Sequence, residues 1–342
     1  MAFTPAQIIV LATPVFLGLI ALEAWVAWRR QRHLYDWSDA MSSIGLGMLS
    51  QVVGLFTRFF NIGIYAWVAD RWALGSWDAG SPWVWLLGLI AYDFCYYWLH
   101  RAGHRVALLW AAHGVHHQSE HYNLSTALRQ TGSNFLLGWL FYLPLAVAGL
   151  PVEVFAGVAL IDLLYQFWVH TEQIGKLGWF DRWFCSPSNH RVHHAVNPRY
   201  LDKNYGGILV VWDRLFGSFQ EEDEPCVYGT VKPLRSWDPL WANVVGYGEC
   251  LRSLRRIGLW RALLAPPGWE PGGGLPQVDL SRPRFAPLLS TSRQLAAGTL
   301  FFLALFATLG LLWWAGAMPF AMLSGAGAGV VGLLWLSGRL AQ

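Results

Sequence analysis

Long apolar runs separated by polar segments dominate the chain. A run of about 20 apolar residues is long enough to cross a bilayer as a helix. Five such runs precede a long polar segment and two follow it, at residues 8–28, 44–69, 83–99, 134–149, 152–170, 295–316 and 319–338. The pattern predicts an all-α polytopic membrane protein with about five core and two C-terminal transmembrane helices.

The runs also suggest a division into four segments. Residues 1–82 carry the N-terminal transmembrane helices, and 83–225 carry three histidine clusters. Residues 226–294 combine an amphipathic segment with a Pro- and Gly-rich linker, and 295–342 form the C-terminal helical pair. The basic amphipathic stretch at 244–264 fits either a helix on an anionic membrane surface or a helix packed on the polar domain.

Composition narrows the class of protein. The chain has 342 residues, of which 55% are hydrophobic and 13% are charged. A soluble domain carries about 25% charged residues, so a disordered chain and an ordinary soluble enzyme are excluded. The net charge of +3 is too small to indicate a nucleic-acid partner.

Basic residues predict the orientation in the membrane, because cytoplasmic loops are enriched in Lys and Arg. If the first helix ends in the cytoplasm at Arg29 and Arg30, nearly all of the 24 Lys and Arg residues fall on that side. Every histidine cluster then belongs to a cytosolic cap, at a bacterial plasma membrane or a eukaryotic endoplasmic reticulum.

Histidine carries the candidate chemistry. HRAGH, HGVHH and HRVHH space their histidines at i, i+3 and i+4, which places the imidazoles of each cluster on one helix face. So many imidazoles on one membrane side could not all find hydrogen-bond partners without a metal. The predicted ligands are His100, His104, His113, His116, His117, His170, His190, His193 and His194.

Nine ligands are enough for two metal ions. Imidazole binds zinc, copper, iron and nickel, and neither an HExxH nor a Glu-x-x-His motif is present. Neutral imidazoles leave the ions with high positive charge, which suits electron uptake and oxygen activation. Iron is therefore the predicted metal, and a zinc protein without redox chemistry is the alternative.

Polar residues near the clusters are candidate supporting groups. Some share a helix face with a ligand histidine and are predicted to accept its outer N–H, with a helix–helix hydrogen bond or a helix cap as the alternative. These are Asp93, Asp162, Gln166 and Asn189. A second set follows HGVHH and fits either a headgroup or cofactor site or a solvated helix: Asn123, Ser125, Thr126, Arg129 and Gln130.

The order HxxxH, HxxHH, HxxHH resembles the fatty acid hydroxylase/sterol desaturase superfamily of membrane di-iron oxygenases, over about residues 83–225. The stretches YNLSTALRQ and YQFWVHTE are similar to its ether-cleaving branch, the alkylglycerol monooxygenases. The resemblance implies that the nine histidines bind two irons. It also implies O2 and a tetrahydropterin as co-substrates. The expected reaction hydroxylates the ether-linked carbon of an alkylglycerol, which releases a fatty aldehyde and a glycerol derivative.

Two positions depart from the animal enzymes of this branch. Arg105 stands where they carry an acidic residue, which weakens the case for the pterin. His121 stands where they carry Asp, four residues after His117, and is a candidate tenth ligand. The sequence has no haem-attachment or nucleotide motif, so electrons are expected from an external donor, either a pterin or a reductase.

Other oxidations within the superfamily remain open. The lipid acted on could be a fatty acyl chain, a sterol or a carotenoid, and the reaction could be hydroxylation or desaturation. A transporter is disfavoured, because the candidate ligands crowd on one membrane side instead of lining the midplane.

Overall fold

The computed structural model describes residues 3–273 and 278–342, and this part of the chain is helical, with two isolated β-bridges and no strand. The N-terminal helices are α1 (Pro5–Arg29), α2 (Trp37–Arg58), α3 (Ile64–Trp72), α4 (Pro82–Arg105), α5 (Ala107–His117), α6 (Leu124–Ala127) and α7 (Leu143–Val147). The remaining helices are α8 (Val152–Trp168), α9 (Pro187–His194), α10 (Val211–Leu215), α11 (Pro239–Ile257), α12 (Leu259–Leu264), α13 (Thr291–Trp314) and α14 (Phe320–Leu340). The all-α prediction is confirmed.

Four of the described helices, α1, α2, α13 and α14, are long and apolar enough to cross a membrane. They support an integral membrane protein. Helices α13 and α14 pack on each other and on α2, where Leu46 and Val52 meet Phe301 and Leu334 in one apolar core.

The prediction of a single helix over residues 134–149 is wrong. This stretch consists of two short 3₁₀ segments, Asn134–Leu136 and Gly138–Tyr142, followed by α7. Its apolar helical part, Gly138–Val147, is too short to span a bilayer. The run 44–69 is also interrupted, because a π-helical turn at Phe59–Gly63 separates α2 from α3.

Small residues bring the helices of the central region together. Gly88 lets α4 approach α8, since a Cβ there would lie 3.1 Å from the Val154 side chain. Gly103 lets α5 fold back on the end of α4, with the Cβ of His113 only 3.3 Å from the place where a Cβ would be. The polar ends of α4, α5 and α8 consequently meet.

A buried carboxylate joins α1 to this region. Glu23 is 5% exposed and accepts hydrogen bonds from the Tyr35 hydroxyl, the Leu124 backbone N–H and the Thr171 hydroxyl. Tyr35 and Thr171 lie in connecting segments, and Leu124 begins α6. One membrane-facing helix therefore anchors the segments on either side of the histidine clusters.

The amphipathic stretch forms two helices, α11 and α12, with a break at Gly258, whose φ is +79°. Helix α11 packs on α5 so closely that a Cβ on Gly246 would lie 2.7 Å from the Cα of Ala111. This packing supports the second sequence interpretation, a helix on the polar domain. Its other face leaves apolar side chains such as Leu251 exposed.

Candidate metal centre

The nine predicted histidines converge into two adjacent groups, and in each group the ring nitrogens lie within 4.8 Å of one another. The five-histidine group consists of His100, His104, His113, His117 and His193. The four-histidine group consists of His116, His170, His190 and His194. The structure thus assembles, from four separate parts of the chain, the eight histidines that spacing singled out and His170, which the family resemblance implied.

Helices α5 and α9 each contribute to both groups. On α5, His113 and His117 are four residues apart and face one group, while His116 turns toward the other. On α9, His193 joins the first group, and His190 and His194 join the second. Two helices shared in this way fix the two groups side by side, as a dinuclear site requires.

Backbone carbonyls fix the tautomer of four of these rings. His100 Nδ1 lies 2.8 Å from the Tyr205 oxygen and His193 Nδ1 lies 3.0 Å from the Lys203 oxygen. In the other group, His116 Nδ1 donates to the Arg129 carbonyl at 2.8 Å and His170 Nδ1 donates to the Gln166 carbonyl at 2.7 Å, with the same effect. A carbonyl can only accept, so each Nδ1 carries the proton and each Nε2 presents a lone pair.

The inward Nε2 atoms fit a metal cation. Nε2 of His116 and Nε2 of His170 lie 3.1 Å apart, although both rings carry their proton on Nδ1. Two lone pairs at that distance repel unless a cation lies between them. Nε2 atoms of His100, His104 and His193 are buried without a hydrogen-bond partner, as metal ligands would be.

The spacing of the nitrogens is that of ligands bound to one metal ion. Neighbouring Nε2 atoms lie 3.0 Å apart for His113 and His117 and 3.2 Å apart for His190 and His194. With metal–nitrogen bonds of about 2.1 Å, ligands at right angles are about 3.0 Å apart and tetrahedral ligands about 3.4 Å apart.

Burial keeps the imidazoles of α5 and α9 uncharged. Removal from water lowers the pKa of His116 to about 4, and it lowers the pKa of His113, His190, His193 and His194 well below the usual value. At neutral pH these rings are unprotonated, which is the form that binds a metal.

Asp93 differs from its predicted role. Its carboxylate accepts hydrogen bonds from the Ile208 and Leu209 backbone N–H groups and from the Trp212 indole, and none from a histidine. The nearby chain reversal needs acceptors for its buried N–H groups, and Asp93 supplies them. The outer proton of His100, on the same helix, goes to the Tyr205 carbonyl instead.

Gln166 supports a ligand histidine, through its backbone. Its carbonyl accepts from His170 Nδ1, while its side chain accepts from the Tyr96 hydroxyl at 2.7 Å and donates to Asp162 at 2.6 Å. Asp162 therefore reaches His170 only indirectly, through its hydrogen bond with Gln166. Asn189 donates to the carbonyls of Asp181 and Phe184, so its side chain makes a local structural bond of the kind weighed as the alternative.

The predicted headgroup or cofactor segment is buried, and its polar side chains form hydrogen bonds within the protein. Asn123, Ser125, Thr126 and Arg129 are each no more than 1% exposed. Asn123 caps α6 and donates to the Leu34 carbonyl, and Arg129 donates to the Val115 carbonyl, to Ser42 and to Gln118. The Gln130 side chain bonds the Ala127 carbonyl. Both sequence interpretations are corrected, because these groups hold the fold together instead of facing a ligand or solvent.

His121 lies outside both histidine groups. Its Nδ1 is 3.3 Å from an Arg284 guanidinium nitrogen, and its backbone carbonyl accepts from Ser119. The turn after α5 breaks the helix before i+4 spacing can bring His121 beside His117. The other departure, Arg105, pairs with Asp202 at 3.2 Å at the edge of the five-histidine group.

Sequence reasoning missed the residues that orient the rings. The acceptors are backbone carbonyls of Arg129, Lys203 and Tyr205, and any residue type can supply a carbonyl. No side-chain pattern could have singled them out. Asp213, which accepts the backbone N–H groups of Tyr205 and Gly206, was a visible carboxylate that the pattern did not connect to histidine.

Comparison with known proteins places this site in a family. Residues 85–218 match the family model for fatty acid hydroxylase. Over 305 residues the chain is 37% identical to the alkylglycerol monooxygenase of Homo sapiens, covering 83% of this chain and 66% of that protein. The chain belongs to the fatty acid hydroxylase family. This membership confirms the resemblance carried by the histidine clusters.

Other family members extend the comparison. The alkylglycerol monooxygenase of Danio rerio is 39% identical over 272 residues, covering 76% of this chain and 59% of that protein. Ornithine lipid hydroxylase OlsE of Rhizobium tropici is 30% identical over 145 residues, covering 41% of this chain and 43% of that protein. The chain thus spans about three fifths to two thirds of the vertebrate relatives' length. No solved structure matches it.

Proposed function

We propose that this family member is a membrane di-iron monooxygenase that uses O2 to hydroxylate a lipid alkyl carbon, at the ether linkage of alkylglycerols. The products are a fatty aldehyde and a glycerol derivative. The observation that carries the proposal is the convergence of nine imidazoles, seven buried and two half-buried, into two groups in which ring lone pairs face one another. Similarity to alkylglycerol monooxygenases over 83% and 76% of the chain supports the ether-lipid substrate.

Iron is preferred to zinc because of the ligand set. Both groups consist of histidine alone, and one of them offers five ligands, more than a tetrahedral site takes. Zinc in structural sites is almost always tetrahedral and often takes thiolates. Cys185 Sγ lies 3.9 Å from His190 Nδ1, on the side of the ring away from the group.

When bound, two irons supply the activation of O2 and the abstraction of a hydrogen from an alkyl C–H bond. The chain's own residues position and protect that chemistry. Carbonyls of Gln166, Arg129, Lys203 and Tyr205 hold the outer protons of four rings, which fixes the direction of each Nε2. Burial of the histidines on α4 and α9, and of His170 just after α8, excludes water from the site.

The reaction balances with an external reductant. One oxygen atom of O2 enters the C–H bond beside the ether oxygen and the other leaves as water, which consumes two electrons and two protons. The resulting hemiacetal breaks its bond to the ether oxygen, leaving an aldehyde and an alcohol. We propose a tetrahydropterin or a partner reductase as the electron donor. The buried, saturated segment 123–130 offers no support for a pterin site there.

We further propose that the histidine groups face the cytosol. The distribution of basic residues supports this orientation, since nearly all of the 24 Lys and Arg residues fall on the cytosolic side when the first helix ends in the cytosol. A lipid would then enter with its headgroup at the cap and its alkyl chain among the apolar helices. The membrane is a bacterial plasma membrane or a eukaryotic endoplasmic reticulum.

Metal content per chain is the decisive test. The full chain is purified in mild detergent without a metal-affinity column, and metals are measured by inductively coupled plasma mass spectrometry. We expect about two irons in the wild-type protein and fewer in His100→Ala and His193→Ala. Zinc alone, or no metal in any preparation, would contradict the di-iron mechanism.

Substrate class is tested on the iron-loaded protein with O2 and tetrahydropterin. We expect aldehyde release from a 1-O-alkylglycerol and none from the matching 1-O-acylglycerol. Hydroxylation of another polar lipid is the second candidate, favoured by the ornithine lipid hydroxylase relative. Hydroxylated ornithine lipid without aldehyde from the alkylglycerol would replace the first proposal with the second.

A further inference from the structure

One short loop, residues 202–206, contacts three members of the five-histidine group. The Lys203 carbonyl accepts from His193 Nδ1 at 3.0 Å, and the Tyr205 carbonyl accepts from His100 Nδ1 at 2.8 Å. The loop also places an Asp202 carboxylate oxygen 3.8 Å from His104 Nδ1. The loop therefore determines how these rings face the site, although it contributes no ligand of its own.

Asn204 holds the middle of the loop. Its φ of +56° lies in the left-handed region, which asparagine tolerates better than most residues. Its side chain donates to the Asn189 carbonyl at 3.0 Å and the Gln220 carbonyl at 2.8 Å, and accepts from the Gln220 N–H at 2.8 Å. All three bonds are buried or half-buried, so the loop conformation depends on this one side chain.

Asp213 holds the end of the loop. One carboxylate oxygen accepts the Tyr205 N–H at 2.7 Å and the other accepts the Gly206 N–H at 2.8 Å. The Ser218 hydroxyl adds a third bond at 2.7 Å. The peptide N–H that Asp213 binds belongs to the residue whose carbonyl receives the His100 proton, so a shift of this carboxylate moves that acceptor.

The four-histidine group depends on other segments. His116 and His170 donate to the carbonyls of Arg129 and Gln166, which lie far from the loop in sequence. The rings of the two groups thus have separate carbonyl acceptors, although both groups share α5 and α9. An altered loop should change one group and spare the other.

We propose that Asn204 and Asp213 are positioning residues that set the metal affinity of the five-histidine group and leave that of the four-histidine group unchanged. The inference rests on the proposed function, because it assumes that both groups bind a metal. Outer hydrogen-bonding partners of metal-bound histidines change metal affinity by about 10- to 100-fold when removed.

The test uses the full chain in detergent and measures iron per chain and the iron dissociation constants by chelator competition. Asn204→Gly removes the side-chain clamp while glycine accepts the positive φ, and Asp213→Asn keeps the shape but can accept only one of the two N–H groups. Asn197→Ala is the matched control: Asn197 bonds Glu224, Pro225 and Val227 in the same way, and its carbonyl accepts from Tyr200 and Leu201, not from a histidine.

We expect one of two irons to bind about 10- to 100-fold more weakly in Asn204→Gly and in Asp213→Asn, with both sites unchanged in Asn197→Ala. The double variant Asn204→Gly/His104→Ala should keep the iron whose affinity Asn204→Gly leaves unchanged. The double variant Asn204→Gly/His194→Ala should lose that iron, which shows that the weakened site is the five-histidine group.

Each other outcome overturns a stated claim. Unchanged affinities in both loop variants would overturn the positioning role. Equal loss of both irons in Asn204→Gly and Asp213→Asn would show a general structural effect and overturn the selectivity. A wild-type protein without two metals would overturn the proposed function itself, and this inference with it.

Discussion

At the scale of single residues, the direction of each ring nitrogen decides what a histidine can do. His116 and His170 owe their inward lone pairs to backbone carbonyls, not to the carboxylates that the sequence suggested. Spacing could identify the ligands because helix geometry is local. It could not identify the acceptors, which reach the rings through tertiary contacts of residues such as Lys203 and Tyr205.

His121 provides a test of the residue-level assignment. Because it lies against Arg284 and outside both groups, we expect His121→Ala to keep two irons per chain. His117→Ala, four residues earlier, should lose iron from the five-histidine group. Metal analysis of the two variants side by side checks this, and loss of iron in His121→Ala would restore the tenth-ligand hypothesis.

Gly207 packs tightly against two carboxylates near the site. A Cβ there would lie 2.6 Å from an Asp162 oxygen and 3.0 Å from an Asp93 oxygen. We expect Gly207→Ala to lower the free energy of unfolding by about 1–3 kcal/mol, because overpacking displaces a hydrogen-bonded carboxylate. Thermal unfolding in detergent measures this loss of stability. Gly175→Ala is the control, since its Cβ would meet no atom within 4 Å, and equal midpoints for the two variants would refute the argument.

At the scale of elements, α9 carries three ligands on only eight residues, so its placement depends on tertiary bonds. Arg191, 7% exposed, bonds both Glu222 carboxylate oxygens at 2.7 Å and donates to the carbonyls of Thr171 and Ile174. Through these two carbonyls Arg191 ties α9 to the segment that follows His170, and Glu222 holds its guanidinium in place. It connects the two parts of the chain that supply most of the four-histidine group.

Glu222→Gln should weaken that connection. The amide leaves one acceptor and turns an N–H donor toward the guanidinium, so we expect a loss of about 1–3 kcal/mol in unfolding free energy. The neighbouring Glu221→Gln breaks only an exposed pair with Lys176 and should change little. Thermal unfolding midpoints of both variants test this prediction. A larger decrease for Glu221→Gln than for Glu222→Gln would contradict it.

The helices were predictable where length and chemistry agreed. The apolar run 8–28 lies within α1, the run 295–316 ends in a 3₁₀ turn directly after α13, and the run 319–338 begins one residue before α14. HRAGH lies at the end of α4, as its spacing indicated. The prediction of one helix over residues 134–149 was wrong because hydrophobicity indicates burial and does not show whether a helix is continuous. There Gly138 packs against Asn134, and the chain forms short 3₁₀ segments instead.

At the scale of the whole molecule, we expect bound metal to stabilise the histidine cap. Nine inward imidazoles are held together by contacts from α1, α11 and the connecting segments, while the Nε2 atoms of His116 and His170 repel at 3.1 Å. A ligand that binds only the folded state raises its stability in proportion to the logarithm of concentration over Kd. Removal of iron with a chelator should lower the unfolding midpoint, and added Fe²⁺ should restore it; an unchanged midpoint would contradict this.

The metal-free protein should also lose stability in acid. Burial lowers the pKa of the α5 and α9 histidines, to about 4 for His116, whereas unfolded histidine titrates near about 6.5. Between those values the unfolded chain binds protons that the folded chain cannot, so the free energy of unfolding falls as pH falls from about 6.5 toward 4.

Denaturant unfolding of the metal-free protein across that window measures the slope. Each buried histidine contributes up to about 1.4 kcal/mol per pH unit. His190→Leu should make the slope shallower, because it removes one buried ring, whereas His33→Leu, at an exposed position, should leave it unchanged. A wild-type slope of zero, or one that His33→Leu alone reduces, would show that the cap histidines bind protons in the folded protein as they do in the unfolded chain, and would contradict their lowered pKa values.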